Sequence, residues 1–139
     1  MTQKKKILIA DDNQDSRELV RKILRKDDYV LLEAIDGEDA LQKIIAEKPD
    51  LVLMDISMPK INGYDLTRMV KESGELRNIT IIALTAHAMK GDRANALDAG
   101  CNGYITKPIN VREFADQIRK YIDDTATNRA PDGSGIAIP

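Results

Sequence analysis

A chain of 139 residues is close to the commonest length for one domain, long enough to bury a core and too short for two ordinary domains. Its 42% hydrophobic and 32% charged residues exclude a disordered chain, and a net charge of -2 gives no field to attract nucleic acid or an anionic membrane. One cysteine, Cys101, excludes an intrachain disulfide, and no stretch has the length of a membrane span or the apolar core of a signal peptide, so the chain is expected in the reducing cytoplasm.

Short apolar runs alternate with amphipathic stretches five times, the pattern of a parallel sheet with helices on both faces. Lys4, Lys5 and Lys6 read as a solvated arm leading into a first strand over Lys6–Ala10, which ends at Asp11 and Asp12. Leu19, Val20, Ile23 and Leu24 then recur at helical spacing over 14–26. A second strand over Tyr29–Ala34 is followed by Asp36 as N-cap, with Asp39 three residues on. The helix so opened has an expected buried face of Ala40, Leu41, Ile44 and Ile45, and Lys48-Pro49-Asp50 stops it.

Leu51 to Met54 is unbroken apolar sequence, as a central strand covered on both faces should be, and it delivers Asp55 at its end. Pro59 and Gly63 mark a loop before a third helix carrying Leu66, Met69 and Val70. Ile79–Leu84 reads as a fourth strand ending at Thr85, and 90–99 as a fourth helix closing at Gly100. Tyr104–Thr106 is a short fifth strand. Asn110 with Glu113 caps the last helix, whose inward residues are Phe114, Ala115, Ile118, Tyr121 and Ile122. The pattern stops at Thr125, so a folded domain over 1–124 and a flexible tail over 125–139 are expected. Cys101, Met54 and Met58 read as packing residues.

In open α/β sheets the working groups gather beyond the carboxyl ends of the strands. Here those ends carry Asp11, Asp12, Asp55, Thr85 and Lys107. Any one of these has an ordinary explanation as a helix cap or a strand residue. Three carboxylates and a lysine on one rim are another matter, because carboxylates brought together repel and desolvate one another unless a cation joins them. Mg²⁺ prefers oxygen ligands and is typically held by one or two carboxylates together with phosphate oxygens, and Lys107 adds a positive charge for a phosphoryl group.

With Asp11-Asp12, the run LVLMDISMP containing Asp55, Thr85-Ala86 and Lys107-Pro108, the sequence closely resembles the receiver domains of two-component response regulators from about Lys5 to Asp124. The resemblance implies a flavodoxin-like α/β fold, a doubly wound five-stranded parallel sheet of order 2-1-3-4-5, an order that a chemotaxis member of the same family exemplifies. It further implies that Asp55 accepts a phosphoryl group from a phosphohistidine on a histidine kinase or histidine phosphotransfer protein. Asp12 and Asp55 would bind Mg²⁺ directly, Asp11 through water, and Ser57 through its backbone carbonyl. Lys107, Thr85 and the backbone N–H of Ala86 would bind the phosphoryl group. Thr85 and Tyr104 would form a switch that reshapes the surface of the fourth helix, fifth strand and fifth helix for a downstream target protein. The Lys107-Pro108 peptide would be cis. Ser57 and His87 fall where the family varies and where water access to the phosphate is adjusted, and His87 reads equally well as a solvent-facing histidine with no such role.

Such a chain is a signalling module, not an enzyme acting on other molecules, and would be a monomer or a weak phosphorylation-dependent dimer. It would be either a single-domain regulator or the receiver of a hybrid histidine kinase. No DNA-binding segment follows Asp124, so signalling through protein contact is expected. Alternatives are a phosphate-independent binding module and a flavodoxin-like cofactor carrier, which the acidic rim disfavours. A haloacid-dehalogenase-like phosphatase needs a second acid two residues after its nucleophile, and that place holds Ser57.

Overall fold

The computed structural model describes residues 4–85 and 92–128. Five strands and five helices alternate: β1 (Lys5–Ala10), α1 (Gln14–Leu24), β2 (Tyr29–Ala34), α2 (Gly37–Glu47), β3 (Leu51–Asp55), α3 (Gly63–Glu72), β4 (Thr80–Thr85), α4 (Asp92–Ala99), β5 (Gly103–Thr106) and α5 (Val111–Asn128). The strands form one parallel sheet in the expected order β2-β1-β3-β4-β5.

Every residue of β3 and β4 is buried because both faces of the sheet are covered. Successive side chains point to opposite faces, so each strand feeds two cores. Ile7, Ile9, Leu51, Leu53, Ile82 and Leu84 pack against α1 and α5, where Phe114 is fully buried; a side chain of that kind contributes about 3 kcal/mol of burial. Leu8, Val52, Met54, Ile81 and Ala83 pack on the other face with Ala40, Ile44, Leu66, Val70 and Ala96 from α2, α3 and α4. Met54, Met58 and Cys101 are packing residues as expected.

Local signals set the helix ends. The side chains of Asn13, Asp36 and Asn62 accept from the N–H groups of Ser16, Asp39 and Asp65, each bond contributing about 1 kcal/mol. Asn110 Oδ1 likewise accepts from the N–H groups of Arg112 and Glu113. α2 ends at Lys48 in the left-handed region (φ 45) just before Pro49. Gly100 follows α4 with φ 107, a backbone shape that costs glycine little.

Several expectations are corrected. α1 ends at Leu24 rather than residue 26, and Leu19, Ile45 and Met69 are exposed at 40%, 54% and 47% instead of joining the core. Each lies at the edge of its helix's apolar stripe, where helical periodicity alone does not separate a buried position from a flanking one. Lys5 belongs to β1, and Lys6 is held by Glu47, so the basic run is only partly a free arm. β4 begins at Thr80 and β5 at Gly103, each one residue from the expected start. α5 continues to Asn128, through the first four residues assigned to the tail. The expected start of α4 at residue 90 and the rest of the tail lie outside the described residues.

Candidate functional site

Sheet register assembles the rim. Ala10 pairs with Met54, Asp55 with Leu84, and Thr85 with Thr106, so the residues just beyond β1 and β5 and the last residue of β4 meet Asp55 at one edge. Carboxylate oxygens of Asp11, Asp12 and Asp55 all lie within 4.8 Å of one another. Lys107 Nζ donates to Asp11 Oδ2 at 2.9 Å and stands 3.6 Å from Asp55 Oδ2. Its backbone N–H donates to the Thr85 carbonyl at 2.7 Å, tying the lysine to the end of β4. The Lys107-Pro108 peptide is cis, as expected.

The three carboxylates differ in environment. Asp11 is almost fully buried and fully engaged: Oδ1 accepts from the Asn13 N–H at 2.9 Å while Oδ2 takes Lys107. Burial raises its pKa, outweighing the Lys107 and Asn13 bonds that act the other way. Burial also works against the Lys107 ammonium, but the Asp11 hydrogen bond and the Asp55 charge overcome it and the pKa is raised. Asp55 is buried and its two oxygens are unequal. Oδ1 accepts from the Ser57 N–H and from the Ser57 hydroxyl, both at 3.0 Å, whereas among the described residues Oδ2 has only the longer Lys107 contact. Asp12 is exposed.

These donors fit a hard divalent cation. All are oxygens, none of the three carboxylates is more than 4.8 Å from the others, and an ion with ligand oxygens at about 2.1 Å, together with its waters, can engage such a group at once. Among the described residues the cluster also sets three carboxylates against one lysine, an imbalance that a divalent cation corrects.

Thr85 is buried at the end of β4 beside this group. Ala86 and His87 lie outside the described residues. Tyr104, paired with Ala83, packs against the α2–α3–α4 core, and its buried hydroxyl has no hydrogen-bond partner among the described residues. An orphaned hydroxyl carries its desolvation cost unrelieved. Tyr104→Phe is therefore expected to stabilise the fold by about 1 kcal/mol in urea unfolding; a loss of stability would mean that the hydroxyl is bonded in solution.

Two contacts have no counterpart in the sequence reading. The Ser57 hydroxyl bonds Asp55, although Ser57 stood out there only for its carbonyl and for water access. Arg17 donates through Nη1 to the Asp11 carbonyl and through Nε to Glu33, joining α1, the β1–α1 turn and β2. An arginine one turn into a helix carries no local signal of such a role.

Residues 7–119 match the family described as the response regulator receiver domain. The chain is 38% identical over 120 residues to the polar-differentiation response regulator DivK of Brucella anthropi, covering 86% of this chain and 98% of that protein. Among solved structures it is similar to the receiver domain of a signal transduction histidine kinase from Syntrophus aciditrophicus, with TM-score 0.79, 29% identity and 86% and 91% of the two chains covered. A CheY-like receiver domain protein from Methanospirillum hungatei matches with TM-score 0.83, 28% identity and coverage of 91% and 99%. Register, rim and relatives agree: the chain belongs to the response regulator receiver domain family, signalling modules of two-component systems.

Proposed function

We propose that this receiver takes a phosphoryl group onto Asp55 from a histidine kinase or histidine phosphotransfer protein and changes its contacts with a downstream target in response. The carrying observation is Asp55 Oδ2, a carboxylate oxygen with no partner among the described residues closer than Lys107 at 3.6 Å, within the three-carboxylate cluster. In this reading Oδ2 attacks phosphorus, the bond from phosphorus to the donor imidazole nitrogen breaks, and the imidazole leaves with a proton; the product is an aspartyl phosphate. Ser57 holds Oδ1 and so fixes the carboxylate plane. Lys107 balances charge on the phosphoryl oxygens. Asp12, Asp55 and the Ser57 carbonyl would hold Mg²⁺ directly and Asp11 through water. Bound there, Mg²⁺ supplies charge neutralisation for the transferring group.

Thr85 and the Ala86 N–H would bind the phosphoryl group, and Tyr104 would adjust to the movement of Thr85. Phosphate then needs only to favour one of two arrangements of the α4–β5–α5 surface. The domain proper extends through α5, in the cytoplasm, as a monomer or a phosphorylation-dependent dimer. Incubation with Mg²⁺ and acetyl phosphate, followed by intact mass, tests the reading. The expected result is an adduct that requires Mg²⁺ and is cleaved by hydroxylamine. No adduct from acetyl phosphate, from a phosphohistidine donor or with BeF₃⁻ would leave a phosphate-independent binding module instead.

A groove between α1 and α5 bears on the donor. Leu19, Ile23, Val111 and Ala115 line it, with Lys22, Arg25, Lys26 and Arg112 at its rim, and none of these four cations has a carboxylate partner among the described residues. An apolar floor with unpaired cations around it suits an acidic donor surface, and rim charges act chiefly on association rate. The double variant Lys22→Glu, Arg112→Glu is expected to slow transfer from a phosphorylated protein donor about tenfold at low salt while leaving the acetyl phosphate rate unchanged. Equal slowing of both rates would remove the groove from donor recognition.

A further inference from the structure

We propose that Arg17 is a positioning residue for the metal site: by holding the Asp11 carbonyl it fixes the backbone that aims Asp12. The inference rests on the reading of Asp12 as a Mg²⁺ ligand.

The Asp12 carboxylate has no hydrogen-bond or ion-pair partner among the described residues. With no side-chain partner to hold it, the place from which it reaches, its Cα–Cβ bond, is set by its own backbone. Both flanking peptide groups are pinned. On the preceding side the Asp11 carbonyl accepts from Arg17 Nη1 at 2.9 Å, and on the following side the Asn13 N–H donates to Asp11 Oδ1 at 2.9 Å. Arg17 is itself fixed. Its side chain is only 12% exposed, its Nε donates to Glu33 Oε1 at 3.0 Å, and the second Glu33 oxygen takes Arg21 at 3.3 Å. Helix α1 contributes as well, because the Arg17 N–H donates to the carbonyl of the N-cap Asn13 at 3.1 Å. The path from a β2 glutamate to an exposed metal ligand is thus continuous: Glu33, Arg17, the Asp11 carbonyl, Asp12.

The residue type matters. A planar guanidinium donates along two fixed directions at once, to a carboxylate on β2 and to a carbonyl on the β1–α1 turn; an ammonium is a point charge on a flexible stem and does not reproduce that fork. The charge of Arg17 also works against its proposed role, since a cation beside a cation site weakens metal binding by simple repulsion. This opposition of signs separates positioning from electrostatics. If Arg17 acts only through its charge, Arg17→Gln tightens Mg²⁺ binding and Arg17→Lys leaves it unchanged. If Arg17 positions Asp12, both variants weaken it.

The test is titration of the full chain with Mg²⁺ by calorimetry, alongside thermal unfolding of the same metal-free samples and the amide resonances of Asp12 and Asn13. We expect Arg17→Gln and Arg17→Lys to raise the Mg²⁺ Kd about tenfold, the usual effect of removing an outer partner of a metal ligand, and to shift both amide resonances before any metal is added. Either variant, if folded, binding Mg²⁺ as tightly as the wild type overturns the proposal; should Arg17→Gln not fold, Arg17→Lys decides alone. Asp12→Asn serves as the reference. If it loses Mg²⁺ binding while the Arg17 variants keep theirs, only the role of Arg17 falls. Wild-type protein that binds no Mg²⁺ overturns the metal reading and this proposal with it.

Discussion

Asp55→Asn yields no phosphoryl adduct after incubation with Mg²⁺ and acetyl phosphate, a loss set only by the detection floor of the mass measurement. The substitution is nearly isosteric. An amide oxygen in place of Oδ1 still accepts the two bonds from Ser57, and Lys107 keeps its shorter bond to Asp11, so the fold and the neighbouring geometry persist. What disappears is the nucleophile, because an amide lacks the anionic oxygen that attacks phosphorus. Thermal unfolding of the metal-free variant checks that the protein remains folded. A Mg²⁺-dependent adduct of undiminished amount on this variant would move the acceptor elsewhere. Asp12, whose carboxylate has no other engagement among the described residues, would then be the candidate, since Asp11 has both oxygens occupied by Asn13 and Lys107.

The sheet was legible because its signals are local and strong. Unbroken apolar runs such as Leu51–Met54 belong to covered parallel strands, and Asp36 and Asn110 stand where helices begin. Once strand order is known, the rim follows: Asp11, Asp55, Thr85 and Lys107 each fall at or just beyond a strand end, and parallel register brings such positions together. Which apolar residue at a helix edge is covered was not legible. Ile45 and Met69 share the periodicity of their buried neighbours, yet they line a groove between α2 and α3 that no further layer covers among the described residues. The Arg17 fork was also hidden. Its partners come from β2 and from the turn before α1, sixteen and six residues away in the chain, and only the pairing of β1 with β2 brings them to the same place. The unequal oxygens of Asp55 depend on a hydroxyl orientation that residue identity alone does not fix.

Asp12→Asn is expected to reverse the order of thermal stability between variant and wild type according to whether Mg²⁺ is present. Without the ion, three carboxylates share the rim with one lysine, and Asn removes a like charge without breaking any hydrogen bond or ion pair among the described residues. The variant then melts above the wild type by about 3 °C, the scale on which a domain of this size answers a small change in charge repulsion. The gain depends on pH through Asp11. Its folded pKa is raised above 3.8, so the folded state holds that proton more tightly than the unfolded chain; the resulting stabilisation is complete below 3.8 and lost as pH rises through the folded value. Above the folded pKa Asp11 is ionised and the repulsion relieved by Asn is largest, whereas below it Asp11 is protonated and the difference narrows. Saturating Mg²⁺ stabilises whichever protein binds it, by an amount that grows with the ratio of free ion to Kd. The wild type gains that increment and the variant does not, so the two melting curves exchange order. A variant already less stable without Mg²⁺ would show that the carboxylates are not in net repulsion. An equal increment in both proteins would show that the ion binds without Asp12, and the ligand set would have to be built from Asp11, Asp55 and backbone oxygens alone.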